Sequence, residues 1–203
     1  MTYPGVKPVP GPDVSLCHPP RSSFVADLVA VNWPRLAGFQ RWVFQPGMLF
    51  QAPNKWWGDR GPRYAPHEGL DLYSFADAGG GLQVVDQHTR TPAAFAGKIV
   101  KIAPDFLGHS IYLRHRRYAA DGRQLISVYG HTVPQESLPV GVRVAAGEVI
   151  GTVSGFPDKK TSLLPHLHLT FAWTPVRVDV ERLDWRHLAD DPEITLIDPL
   201  AVI

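Results

Sequence analysis

Proline and glycine interrupt this chain so often that long helices are disfavoured. The 203 residues include 20 prolines and 18 glycines, and proline is about twice as frequent as in an average protein. Proline lacks a backbone N–H and breaks the interior of a helix. From residue 97 onward, short strand-like runs follow one another, as in GKIVKIA, HSIYLRH, QLISVYGH and RVAAGEVIGTVSG. The sequence therefore predicts a mostly β fold.

Two local signals refine this prediction. Asp121-Gly122 lies between two of the strand-like runs. This dipeptide is typical of a type I′ turn, in which both central residues have a positive φ, so the flanking strands should be antiparallel neighbours. Residues 178–191 are the best helix candidate, because their apolar side chains fall on one side of a helix. We expect a small helical appendage after the strands.

Charge and hydropathy exclude two classes of partner. Lys and Arg number 20 against 19 Asp and Glu, a net charge of +1, so the chain has no broad attraction to nucleic acid. No apolar run approaches the ~18 residues of a membrane span.

The single cysteine, Cys17, excludes an internal disulfide and a cysteine-based zinc finger. Any metal site must therefore use histidine and carboxylate ligands.

Histidines occur at three places where a plain hydrophobic core would not put them. In HEGLD, His67 and Asp71 are four residues apart with a glycine between them, and an extended chain returns both to one face. In YGH, His131 ends a strand-like run. In PHLH, His166 and His168 share one face of a strand, while the leucines share the other.

These five side chains supply more ligands than a catalytic zinc ion needs. Such an ion takes three protein ligands and leaves a fourth position for a water molecule, whose pKa falls to about 7. The two remaining imidazoles would transfer protons or stabilise an oxyanion. One member of the His166/His168 pair would hold the metal and the other would work beside it. Glu68 is expected to be solvated, because Pro66 and Gly69 argue against a helical His-Glu-x-x-His motif.

The motifs HEGLD, YGH, VAAGEVIG and PHLH follow one another along the chain. In this order they resemble the signature of the lysostaphin-type zinc endopeptidases, bacterial enzymes that cut peptide bonds in cell-wall peptidoglycan. The resemblance spans roughly residues 56–171 and includes the closing IDPL segment.

The resemblance implies a two-layer antiparallel β-sheet groove with zinc at its floor. It assigns His67, Asp71 and His168 as zinc ligands. It assigns His131 and His166 as the catalytic pair. A zinc-activated water would attack the scissile carbonyl, with His131 taking its proton and His166 hydrogen-bonding to the developing tetrahedral species.

The expected organisation has two parts. Residues 1–23 form an extended Pro-rich N-terminal arm, and residues 24–203 form the zinc peptidase domain, with a motif-bearing core at 56–171 and a C-terminal extension at 172–203. By resemblance, the partners are peptidoglycan peptides, and the protein acts in the bacterial cell envelope, in a periplasmic or extracellular location. We expect a monomer, although the sequence does not specify the oligomeric state.

Two alternative functions fit parts of the sequence. On the same fold, the chain would be a non-hydrolytic envelope interaction protein or a regulator of cell-wall hydrolases; the presence of all five site residues argues against this. A peptidoglycan- or sugar-binding module would use tryptophans as stacking platforms, although tryptophans more commonly pack in a core or groove wall. The tryptophans concerned are Trp33, Trp42, Trp56 and Trp57. The sequence does not specify which peptide bond is cut.

Overall fold

A computed structural model describes residues 18–155 and 163–203 of the chain. Most of the predicted N-terminal arm, including Cys17, lies outside the described residues. Strands outnumber helices, which confirms the mostly β prediction. The strands are β1 (Phe39–Val43), β2 (Leu70–Leu72), β3 (Ser74–Asp77), β4 (Leu82–Val84), β5 (Arg90–Pro92), β6 (Gly97–Pro104), β7 (His109–Tyr118), β8 (Gln124–Pro134), β9 (Arg143–Val144), β10 (Val149–Val153), β11 (Leu167–Thr174) and β12 (Thr195–Ile197). The helices are α1 (Phe24–Val31) and α2 (Trp185–Asp190), with 3-10 helices at Pro46–Met48, Val180–Arg182 and Pro199–Ala201.

The described strands form two antiparallel sheets. The small sheet has the order β1-β3-β4. The large sheet follows the order β12-β11-β8-β7-β6-β9, with β2 paired to β11, and with β10 paired to both β8 and β5. Phe75 of the small sheet belongs to the same buried cluster as Leu113 and Phe171 of the large one. This shared core gives the two-layer arrangement implied by the resemblance. No helix of the described residues is long and apolar enough to cross a membrane.

Strand β11 lies between β2 and β8, and its register positions the site. His168 pairs with Asp71 on one side and with Gly130 on the other. Leu167 and Leu169, its neighbours in sequence, are buried in the main core. Because successive side chains of a strand point to opposite faces, Asp71 and His168 lie together on the face away from that core.

The β7–β8 hairpin confirms the predicted pairing but not the predicted turn. Strands β7 and β8 are antiparallel neighbours. Gly122 has a φ of 84°, whereas Asp121 is not in the positive-φ region. The N–H of Gly122 donates to the carbonyl of Ala119 at 2.9 Å. The connection is therefore a tight turn closed by a left-handed glycine, a longer loop than the two-residue type I′ turn.

The C-terminal extension covers the second face of the large sheet. The predicted helix at 178–191 is interrupted at Asp184, whose side chain accepts the N–H of His187 at 2.7 Å and caps α2. Leu183 and Leu188 on either side of this break are fully buried against the sheet. Lys101 donates to the carbonyl of Leu183 at 2.7 Å. The extension is thus held by both apolar burial and hydrogen bonds, on the face that carries His168.

Candidate metal centre

Three predicted ligands meet on the face of the large sheet that points away from the main core. His67 comes from the loop before β2, Asp71 from β2 and His168 from β11. His67 Nε2 lies 3.2 Å from His168 Nδ1. Asp71 Oδ1 lies 2.8 Å from His168 Nδ1 and 3.3 Å from His67 Nε2. All three side chains are buried, so the donor atoms converge away from bulk water.

The separations between these donor atoms suit a tetrahedral zinc ion. With metal–ligand bonds of ~2.1 Å, neighbouring ligands of such an ion lie roughly 3.4 Å apart. Two of the three distances match this value closely, and the third is shorter by a fraction of an ångström. Among the described residues, this is the one group of at least three histidine, cysteine or carboxylate side chains that converges in this way. Two imidazoles and one carboxylate are also ligands that zinc commonly takes.

The ring of each histidine ligand is anchored by its other nitrogen. His67 Nδ1 lies 2.9 Å from the carbonyl oxygen of Leu49. Because a carbonyl oxygen only accepts hydrogen bonds, the proton of His67 lies on Nδ1. A lone pair is left on Nε2, which faces the ligand atoms of Asp71 and His168. His168 Nε2 lies 3.0 Å from Thr170 Oγ1, leaving Nδ1 toward the site.

Asp71 is held as an ionised ligand that offers one oxygen. Its Oδ2 accepts the indole N–H of Trp56 at 2.7 Å and lies 3.6 Å from Arg63. Burial by itself would raise the pKa of the Asp71 carboxyl, but His67 and the other nearby histidines hold that pKa well below its usual range. Oδ1 therefore remains available to a cation.

Gly69 explains how β2 and β11 approach closely enough to form this centre. A Cβ atom at Gly69 would lie 2.6 Å from His168 Nε2 and from the carbonyl oxygen of Leu169. Such contacts are shorter than real side chains show. The glycine in HEGLD is therefore a requirement of strand packing next to His168.

His131 reaches the site because β8 bulges. Gly130 and His131 together face one residue of β7, Ser110, and His131 has a φ of 61°. A bulge bends its strand and redirects a side chain. Here the bulge also frees the His131 N–H from the backbone hydrogen bonds between β7 and β8. This N–H donates instead to Asp105 Oδ2 at 2.9 Å. The sequence placed His131 at the end of a strand, whereas the bulge lies within β8.

Asp105 is a functional candidate that sequence reasoning missed. Its Oδ1 lies 3.2 Å from His131 Nδ1 and accepts the N–H groups of Leu107 and Gly108 at 2.9 and 2.8 Å. Burial opposes ionisation of this carboxyl, but the contacts with His131 and with these backbone groups lower its pKa below the ordinary value. A carboxylate so placed orients the imidazole and would stabilise its protonated form. No motif marks Asp105, because it lies in the loop between β6 and β7, distant in sequence from His131 in β8.

His166 completes the histidine cluster. Its Nε2 lies 3.6 Å from Asp71 Oδ1, and its ring centroid lies 4.8 Å from that of His131. The Nδ1 atom lies 2.7 Å from the carbonyl oxygen of Leu164 and therefore carries the proton. Burial lowers the pKa of His166 to about 4, so the ring is neutral at pH 7 and its Nε2 presents a lone pair.

A cavity lies over these groups. Trp185 forms one wall, with its ring centroid 4.5 Å from that of His168. Glu68 also lines it, and Glu68 Oε1 lies 3.8 Å from His168 Nε2. Glu68 thus borders the site and is not the solvated bystander that the sequence suggested. The residues lining the cavity are Trp57, Arg63, Glu68, Asp71, Phe106, His131, His166, His168 and Trp185.

The four tryptophans considered as a stacking platform have different environments. Trp33 is 70% exposed, and Trp57 is partly buried and lines the cavity. Trp42 packs edge-on against Phe75, and Trp56 is buried beside Asp71. The structure therefore provides a packing or hydrogen-bonding role for two of them.

Solved structures that resemble this chain include lysostaphin and the catalytic domain of EnpA. Lysostaphin, determined in solution by NMR, is similar over 66% of this chain, with 22% identity and a TM-score of 0.41. The catalytic domain of the prophage-encoded M23 protein EnpA from Enterococcus faecalis, solved as a crystal structure of a mutant, is similar over 64% of this chain and 83% of its own length, with 20% identity and a TM-score of 0.37. The matched part is 42% of the lysostaphin chain. No curated protein matches the sequence.

A family comparison covers the central part of the sequence. The model of Peptidase family M23 matches residues 76–180, more than half of the 203-residue chain. The matched segment contains His131, His166 and His168, and it begins after Asp71. The chain belongs to peptidase family M23.

Proposed function

We propose that this protein is a zinc-dependent endopeptidase that hydrolyses peptide bonds in bacterial cell-wall peptidoglycan. The observation that carries the proposal is the convergence of His67, Asp71 and His168 beneath a cavity that His131 and His166 also line. Membership of family M23 and the nature of the ligand set support the same conclusion. The peptidase domain is proposed to comprise residues 24–203, and a peptidoglycan substrate would place it in the periplasm or outside the cell.

The ligand set would be His67 Nε2, Asp71 Oδ1 and His168 Nδ1. When bound there, zinc would polarise the scissile carbonyl and lower the pKa of the attacking water. Trp56 would keep Asp71 in a one-oxygen binding mode, because its indole N–H occupies the second oxygen. The carbonyl of Leu49 would fix the ring orientation of His67.

His131 is proposed to take the proton of the attacking water. The Asp105 carboxylate lies against His131 Nδ1, so His131 Nε2 is left to act as the base. The imidazolium that forms would be stabilised by the same carboxylate. The bulge in β8 would keep this ring over the cavity during the reaction.

His166 is proposed to contact the developing tetrahedral species. In its neutral form, Nε2 accepts and does not donate, because Nδ1 carries the proton toward Leu164. His166 would therefore stabilise an oxyanion only after receiving a proton at Nε2. Its ring centroid lies 4.8 Å from that of His131, and the His131 imidazolium is proposed as the source of this proton.

Metal analysis and wall digestion test the proposal together. The purified protein should contain about one zinc per chain, and His168→Ala should lose most of it. His131→Ala should retain the metal and lose turnover of purified peptidoglycan. His88→Ala is the matched control, since His88 is an exposed loop residue, and it should keep both properties.

Two results would contradict the proposal. Full zinc retention by His168→Ala would show that the ligand assignment is wrong. If the zinc-loaded protein binds peptidoglycan from several bacteria but cleaves none, a non-hydrolytic envelope protein or regulator of cell-wall hydrolases would be the better description. Mass spectrometry of the released fragments would identify which peptide bond is cut.

A further inference from the structure

A second cavity continues from the candidate metal centre toward the C-terminal extension. The two cavities share Trp57, Arg63, Glu68 and Trp185 in their lining. We call the second one the extension groove and define it by Lys55, Trp57, Arg63, Tyr64, Trp185 and Arg186. Its volume is about 380 Å³. Because the groove opens directly from the cavity over the metal centre, a peptide whose scissile bond lies at that centre would pass into it.

The extension groove is built from two segments that are distant in sequence. One wall comes from the loop that precedes β2, and the other from α2. Where the two cavities join, the Trp185 ring packs directly over Gly130. A Cβ atom at Gly130 would lie only 2.8 Å from this ring. The burial of Leu183 and Leu188 on either side of Trp185 holds α2 against the sheet. The whole of α2 lies beyond the segment that matches family M23, which ends at residue 180.

The rim of the extension groove carries a cation whose charge is not neutralised. Lys55 is paired with Asp59 at 2.7 Å, and Arg63 lies 3.6 Å from Asp71. Arg186 is exposed and lies over the ring of Tyr64 at 4.7 Å. Across residues 18–155 and 163–203, no carboxylate forms an ion pair with Arg186. The groove therefore offers a planar guanidinium, whose fork of donors matches a carboxylate.

The aromatic walls suit a peptide better than a free ion. The side chain of Tyr64 is 78% exposed, and the ring of Trp57 also faces the groove. Exposed aromatic surface beside a catalytic cavity is typical of ligand sites, where it buries the ligand's apolar groups. Glu68, at the junction with the metal centre, would repel a carboxylate close to the scissile bond. The charge pattern thus favours a carboxylate at the Arg186 end of the groove.

We propose that the extension groove is a substrate subsite for a peptide segment that carries a free carboxylate, which Arg186 binds. This inference rests on the proposed peptidase function, because it places the scissile bond at the metal centre. Trp57, Tyr64 and Trp185 form the walls, and Arg186 distinguishes a carboxylate from an uncharged amide. The subsite makes the C-terminal extension a determinant of substrate choice.

The test compares purified peptidoglycan with the same material after its carboxyl groups have been converted to primary amides by carbodiimide and ammonium chloride. The wild-type protein should cleave the free-carboxyl form with a kcat/KM roughly threefold to fivefold higher, the scale of a partly exposed ion pair, and the difference should lie in KM. Arg186→Glu should abolish or reverse this preference. Arg182→Glu is the matched control, because Arg182 is also exposed and basic but does not line the groove.

Binding is measured separately from cleavage. In His131→Ala, co-sedimentation with each form of peptidoglycan should show tighter binding to the free-carboxyl form, and adding Arg186→Glu should remove the difference. If Arg186→Glu behaves like Arg182→Glu in both assays, the subsite is refuted while the peptidase function stands. If neither material is cleaved but the binding preference depends on Arg186, the peptidase function fails and the carboxylate site stands.

Discussion

Replacing Asp105 by asparagine tests whether the carboxylate acts through His131. Both carboxylate oxygens of Asp105 contact His131. Oδ1 lies 3.2 Å from His131 Nδ1, and Oδ2 accepts the backbone N–H of His131 at 2.9 Å. Oδ1 also accepts the N–H groups of Leu107 and Gly108. In Asp105→Asn, the amide oxygen should therefore take the Oδ1 position. The amide NH₂ group then faces the N–H of His131, a donor opposite a donor.

The expected cost follows from these contacts. A neutral amide cannot stabilise an imidazolium as a carboxylate does, so kcat should fall about 10- to 100-fold, the usual effect of removing a group that orients a catalytic or metal-binding histidine. This corresponds to about 1.4–2.7 kcal/mol in the activation free energy. Loss of one buried hydrogen bond should also lower the free energy of unfolding by about 1–3 kcal/mol. KM and zinc content should stay unchanged, because Asp105 has no contact with the proposed ligands His67, Asp71 and His168 among the hydrogen bonds of the described residues.

The assay measures kcat and KM on purified peptidoglycan, zinc per chain and the melting temperature. Ser110→Ala is the matched control, since it removes a 2.8 Å hydrogen bond to Asp105 Oδ2 and preserves both the charge and the contacts with His131. It should change kcat by less than about threefold, because the net contribution of one such hydrogen bond is small and the catalytic contact is retained. A wild-type kcat for Asp105→Asn in the folded, zinc-loaded enzyme would refute a positioning role for Asp105.

Three further perturbations have defined outcomes. Trp56→Phe removes the 2.7 Å hydrogen bond to Asp71, and zinc affinity measured by chelator competition should fall about 10- to 100-fold; unchanged affinity would show that the indole does not support the ligand. Gly69→Ala places a Cβ 2.6 Å from His168 Nε2, so calorimetry should show a loss of roughly 1–3 kcal/mol in unfolding free energy, and an unchanged melting temperature would contradict the close packing. Burial lowers the pKa of His115 from 6.5 to about 4. Between these two pH values the unfolded chain binds a proton that the folded chain does not. The free energy of unfolding should therefore decrease by up to about 3 kcal/mol as the pH falls through this window. With chelator present throughout, His115→Gln should lose that part of the slope in urea titrations; an identical slope would mean that His115 titrates normally in the folded state.

Local patterns in the sequence were sufficient to predict that several histidine and carboxylate side chains converge. Alternation in PHLH places His166 and His168 on the same side of the chain, and both lie within 3.6 Å of Asp71 Oδ1. His67 and Asp71, four residues apart, also meet, with 3.3 Å between Nε2 and Oδ1. These predictions succeed because side-chain direction along a strand has a period of two residues and depends on the backbone alone.

Other features required the pairing of distant segments. The contact between Asp105 and His131 depends on the bulge in β8, which is defined by two residues opposing one on β7. The contact between Trp185 and His168 depends on how the extension packs over the sheet. The type I′ turn was wrongly predicted at Asp121 because the length of a hairpin loop depends on strand register.

The sequence by itself determined the strand-rich architecture and the chemical identity of the five candidate site residues, since both are properties of residue type and local spacing. Only the tertiary structure decided which donor atoms meet, which group orients His131, and which segment encloses the cavity. The physical reason is that a strand's register with a distant partner is set by burying both apolar faces at once, and this requirement acts on the folded chain as a whole.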